Sequence, residues 1–155
     1  LRLVEGGIAP VSCLDDEVNP CEKCKECVTL DLWEQVDQAI SNVVDVISGM
    51  PYPDHFAANG TWLPWEHPYD TLYNWGQNVM VRQGETATPA AVRTWIQAYN
   101  AIREPYNSYG PQEVAAQISG LRDAGCTGGY MTWNSSSSLD KYTWLIPAFE
   151  PPEYK

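Results

Sequence analysis

The side chains best suited to chemistry fall in three short clusters. Tyr52, Asp54 and His55 sit in a Pro-rich stretch, Gln97, Tyr99 and Asn100 follow an apolar run, and Trp133 and Asn134 precede four serines. Such a set suits a sugar. Trp and Tyr offer flat faces to the C–H side of a pyranose ring, while His, Gln and Asn supply donors and acceptors for hydroxyls. Cleaving a glycosidic bond needs two carboxylates, about 5–5.5 Å apart for retention or about 6.5–9.5 Å for inversion. Asp54 and Glu104 are the candidate catalytic acids, with Glu66 on a further loop. Asp54 is the best placed, because His55 beside it can tune its protonation. Each residue also has a plainer reading. Asp before His on a Pro-rich loop braces turns, Trp95 reads as core, and Trp133 divides evenly between core and cleft. Gln97 and Asn134 are cleft-lining or loop-bracing amides, since a polar group at the end of a buried strand must find partners.

Other kinds of site lack their signatures. The two histidines, His55 and His67, are too few for most catalytic zinc centres, and neither a phosphate-cradling glycine motif nor a Gly-x-Ser-x-Gly elbow is present. Neither cofactor nor catalytic metal is therefore expected. Cys13, Cys21, Cys24 and Cys27 cluster, with Cys126 alone. Disulfides in an oxidising compartment are the leading reading of the cluster. A metal knuckle on Cys21-x-x-Cys24-x-x-Cys27 and free thiols are the alternatives.

Composition narrows the partners. With 9 Lys and Arg against 20 Asp and Glu, the formal charge of the 155-residue chain is −11. That excess opposes binding to nucleic acid, which needs a cationic face, and to anionic membrane surfaces. No apolar run approaches the roughly 20 residues of a membrane span, and no signal peptide is visible at the first residues. Aromatics are 7 Trp and 9 Tyr against 2 Phe, a bias toward flat rings with a polar handle.

The elements that must position these residues alternate. Residues 1–30 read as an irregular Cys-rich segment. Asp31 caps an expected helix carrying Leu32, Val36, Ala39, Ile40 and Val43. A β-branched run over 43–48 reads as a buried strand. A helix opens at Asp70, a second strand covers 92–98, and a third helix runs from Pro111 to a cap at Gly125. A third strand covers 128–133, and the tail is expected to pack by its aromatics and fray. The alternation is that of βα units on a parallel sheet. Three strands do not close an eight-stranded barrel, so an incomplete barrel, a small open sheet or part of a larger assembly is expected. The clusters named above then lie at the carboxyl ends of the strands, where such folds hold their sites.

Three segments carry a family resemblance. Val44 to Phe56 resembles the "V-D-x-[VI]-S-P-M-x-Y-P-S-H-[YF]" strand and loop of a bacterial family of glycoside-hydrolase-like TIM-barrel domains. Arg93-Thr94-Trp95-Ile96-Gln97 resembles its "R-P-W-[LI]-Q-D-F" strand. Tyr109-Gly110, Glu113-Val114, Gln117-Ile118, Asp123-Ala124-Gly125 and Trp133-Asn134 resemble its closing helix and last strand. Two positions depart from the pattern: Ala98 stands where the family has Asp, and Asp54 where it has Ser. The family's earlier strands, one bearing an acidic residue, have no counterpart here. The resemblance implies an α/β fold with about three βα units over 31–150, the C-terminal portion of a (β/α)8-type barrel. Another chain or a missing segment would complete it. It also implies a glycoside-hydrolase-like domain acting on an extracellular or cell-surface carbohydrate. A non-catalytic carbohydrate-binding or assembly module derived from such a barrel is the alternative. On this reading Asp54 and Glu104 are catalytic, and Tyr52, His55, Gln97, Tyr99, Trp133 and Asn134 contact the sugar.

Overall fold

Proline and glycine punctuate the chain. Pro68 opens helix α1 (Pro68–Gly84), where its missing N–H costs nothing, and Asp70 lies in the same first turn, favourably placed against the helix dipole. Pro111 opens α2 (Pro111–Asp123) in the same way, and the Glu113 carboxylate reaches back to accept the Gly110 N–H at 2.9 Å. A third helix, α3 (Leu139–Phe149), is capped by Ser138, whose hydroxyl accepts the Lys141 N–H at 3.2 Å. The computed structural model describes residues 39–150 and the backbone of two short strands, β1 (Arg2–Val4) and β2 (Gly7–Ala9). The remaining strands are β3 (Val46–Ile47), β4 (Ala91–Val92), β5 (Thr94–Gln97) and β6 (Tyr130–Trp133).

Two expectations need correction. The first part of the tail is the helix α3, in which Leu145 and Ala148 bury against the core at helical spacing and Phe149 stacks on Tyr130; its last residues, 151–155, lie outside the described residues. The opening residues are not wholly irregular: β1 and β2 pair antiparallel, in strands too short for alternation to register in sequence. Cys13, Cys21, Cys24, Cys27 and most of the expected helix from Asp31 lie outside the described residues. Cys126 is a buried free thiol.

The strands pair in parallel, β3 with β4 and β5 with β6. Only Arg93 separates β4 from β5, so residues 91–98 run between the other two strands. Ala91, Arg93 and Trp95 donate their N–H groups to the carbonyls of Asp45, Ile47 and Gly49 at 2.9–3.0 Å. Thr94 and Ala98 donate to Gly129 and Trp133 on the other side. Mixed helix and strand content therefore agrees with the α/β expectation, in small parallel pairings.

Alternation along 91–98 divides the two faces. Val92, Thr94, Ile96 and Ala98 are buried, and Val92, Ile96 and Ala98 pack with Leu72, Val114, Leu121 and Leu145 of α1, α2 and α3. The opposite face carries Val46, Arg93, Trp95, Met131 and Trp133. There Val46, Arg93 and Trp133 are exposed. The strand over 43–48 is thus covered on one face only among the described residues, where the sequence predicts full burial. Trp95 is likewise half-buried on this outer face, edge-on to Trp133 at 6.2 Å, and not in the core.

Candidate functional site

The chain leaves β3 through Met50-Pro51-Tyr52 and turns at once into a 3-10 turn, Pro53–His55, closed by the His55 N–H on the Tyr52 carbonyl at 2.9 Å. Proline fixes φ at its first position. The turn drives Asp54 inward and His55 outward. Asp54 is 1% exposed, whereas the His55 side chain is 57% exposed.

A buried carboxylate needs donors. Asp54 Oδ1 accepts the Tyr99 hydroxyl at 2.9 Å, and Oδ2 accepts the Ile102 N–H at 3.3 Å. Its own N–H donates to Gln97 Oε1 at 3.3 Å, and Gln97 Nε2 donates to the Tyr99 carbonyl at 3.2 Å. One set of bonds thus ties the exits of β3 and β5 together. Burial first, then the hydrogen bond to Asp54, holds the Tyr99 phenol well above its usual range. Tyr99 therefore stays a neutral donor.

His55 Nε2 lies 3.4 Å from the Tyr99 oxygen and 3.8 Å from Asp54 Oδ1. Since the Tyr99 proton is committed to Asp54, the imidazole meets the phenol oxygen as an Nε2–H donor. Nδ1 is then left as the ring's acceptor in the neutral form. Tyr52, itself buried, stands edge-on to both His55 at 5.2 Å and Tyr99 at 5.9 Å. Its phenol is also raised, chiefly by burial. The arrangement is a surface imidazole backed by a phenol and a buried carboxylate, beside aromatic rings. It can bind hydroxyls and pass a proton between His55 and a ligand.

Not every predicted residue joins this cluster by direct contact. Gln97 does, but with no exposed surface: both ends of its amide are used on backbone groups. Trp133 lies next to Gln97 in the strand register and is 47% exposed. Asn134 is buried, and its Oδ1 accepts the Ser136 N–H at 3.2 Å and hydroxyl at 2.8 Å, an Asx-type turn that shapes the loop after β6. Glu104 is exposed on the 99–110 loop, and Glu66 is exposed in the turn Pro64–Glu66; neither bonds to Asp54. Among the described residues, no group of three or more His, Cys, Asp or Glu is placed to hold a metal ion.

Two neighbours were not singled out from the sequence as site residues, although Tyr109 belongs to a segment that carries the family resemblance. Lys141 at the start of α3 donates to Asn100 Oδ1 at 2.9 Å and to the Tyr109 carbonyl at 2.6 Å, and burial lowers its pKa against an opposing pull from Glu113. Tyr109 is fully buried, and its hydroxyl donates to the Trp65 carbonyl at 2.9 Å, pinning the 99–110 loop against the turn Pro64–Glu66. In the sequence Lys141 is an isolated Lys after a serine run, and Tyr109 shows only as part of the Tyr109-Gly110 segment before α2.

No curated protein matches the chain. Residues 31–139, more than half of the sequence, match a family described as "Putative glycosyl hydrolase domain". This span holds both strand exits and the loops that carry the Asp54–Tyr99–His55 cluster, and the chain belongs to that family.

Proposed function

We propose that this glycosyl-hydrolase-like domain grips an extracellular, neutral carbohydrate at the exits of β3 and β5. The observation that carries the reading is the Asp54–Tyr99–His55 cluster: a buried acid and a phenol orient an exposed imidazole among aromatic rings. Pyranose hydroxyls meet His55 and Tyr99, and the exposed ring of Trp133 supplies the apolar face, with the buried Tyr52 backing the His55 and Tyr99 rings. The net charge of −11 disfavours anionic glycans. The clustered cysteines support an oxidising, extracytoplasmic setting.

The three parallel segments act as part of a (β/α)8-type barrel. Among the described residues helices cover one face, and parallel sheets are ordinarily covered on both. Another chain or a further segment then supplies the remaining strands and the second carboxylate that glycoside hydrolysis requires. Asp54 acts through Tyr99 and His55, since it has almost no surface of its own. Glu104 reaches a substrate only if the 99–110 loop folds over it.

A second reading, a carbohydrate-binding module without turnover, is favoured by the burial of Asp54. The test is titration with neutral hexasaccharides (cello-, laminari- and chito-hexaose) together with turnover of aryl glycosides. Binding that His55→Ala abolishes supports the site, and turnover lost in Asp54→Asn supports hydrolysis. Binding without turnover selects the module, and no binding to any of the three refutes the carbohydrate reading.

A further inference from the structure

The ladder between residues 91–95 and β3 stops one rung short. Ala91, Arg93 and Trp95 donate to Asp45, Ile47 and Gly49, and the next rung belongs to Gln97 and Pro51. The chain has already turned away at Pro51, so the Gln97 N–H needs another acceptor inside the protein. Gln117 on α2 supplies it. This fully buried side chain accepts the Gln97 N–H on Oε1 at 2.9 Å and donates Nε2 to the Gln97 carbonyl at 2.9 Å. Nε2 also donates to the Glu113 carbonyl, one helical turn back, at 3.3 Å. Backbone groups at both ends fix which way the amide points.

We infer that Gln117 is the positioning residue of the strand-exit cluster. It holds the backbone of Gln97 where the strand partner has ended. The Gln97 side chain then reaches the Asp54 N–H and the Tyr99 carbonyl, and through them Gln117 sets the His55 ring. Gln117 lies below the surface, with no exposed area of its own. The inference rests on the reading of this cluster as the carbohydrate site, but its geometric part can be measured without any sugar.

The experiment uses nuclear magnetic resonance on the full chain, following the Asp54 amide, the Tyr99 ring and the His55 imidazole. Gln117→Met keeps the bulk and removes both hydrogen bonds to Gln97 along with the one to Glu113. Val114→Ala, a buried change on the same helix that leaves this chain of bonds intact, serves as the control. Gln117→Met is expected to shift all three signals and weaken hexasaccharide binding about tenfold, the effect of one buried bond pair. Val114→Ala is expected to lower the melting temperature and leave the three signals in place. Adding Gln97→Met to Gln117→Met should cost little more than the larger single change, because both act through one connection. Unchanged signals in Gln117→Met overturn the inference, whatever its stability. Should that variant fail to fold, amide exchange in the unaltered protein decides: slow exchange of the Gln97 and Asp54 N–H groups supports it, and exchange as fast as exposed loop amides overturns it. If no hexasaccharide binds the unaltered protein, the carbohydrate reading fails while the resonance test of Gln117 still stands.

Discussion

Asp54 shows how one residue's role depends on depth. Its place in the sequence, before His55 on a Pro-rich loop, fits a catalytic acid and a turn brace equally well. The structure puts it beneath the surface with a donor on each oxygen. Removing one donor leaves a buried acceptor unsatisfied. Tyr99→Phe should therefore destabilise the fold by about 1–3 kcal/mol, read by chemical denaturation, and a cost near zero would contradict the burial of the pair. Asp54→Asn is expected to destabilise as well, because only one of its two polar ends can still accept, so activity losses in that variant must be compared at equal folded fraction. The depth of Asp54 was not legible in the sequence. It is set by Tyr99 and Ile102, distant residues on a loop whose path depends on Tyr109 meeting Trp65. Gln97 was legible as an amide needing partners, but not as one whose partners are all backbone.

At the scale of elements, legibility followed punctuation. Asp70 for α1 and Pro111 for α2, together with apolar spacing, placed the two helices to within about two residues. The third helix escaped notice because four serines precede it and Pro147 lies inside it. The close approach of α1 to α2 was hidden too, since it depends on a missing side chain. A Cβ on Gly120 would lie 2.5 Å from the Tyr69 carbonyl oxygen and 3.1 Å from the Tyr73 nitrogen, both of them backbone atoms. Gly120→Ala should force the helices apart and cost about 1–3 kcal/mol. Gly84 meets nothing within 4 Å, so Gly84→Ala at the end of α1 should stabilise by about 0.4–1 kcal/mol through the unfolded chain. Thermal melts of the two variants should move in opposite directions, and a shared direction would contradict the packing described.

At the scale of the molecule, two properties stand out. The first is the alkaline limit of stability. Burial holds the phenols of Tyr52, Tyr99, Tyr109 and Tyr130 above the ordinary 10.0. Their folded values exceed the unfolded one, so the contribution is fully present below about pH 10 and is lost as pH rises toward the folded values. Unfolding free energy should fall steeply above about pH 10, with phenolate absorbance appearing together with loss of helix. Phenolate appearing near pH 10 in an intact fold would contradict it. The second is the sheet face that, among the described residues, leaves Val46 and Trp133 exposed beside the half-buried Trp95 and Met131. Exposed apolar area of this kind marks an interface, and the isolated chain should associate as its concentration rises in sedimentation. A monomer at every concentration would contradict it.

The cluster at the strand exits is the centre of this account, and a resonance titration with the three neutral hexasaccharides tests it most directly. Saturable shifts of the His55 and Tyr99 signals, abolished by His55→Ala and reduced by Tyr99→Phe, are the predicted result. Saturating sugar that leaves both signals unmoved would contradict it.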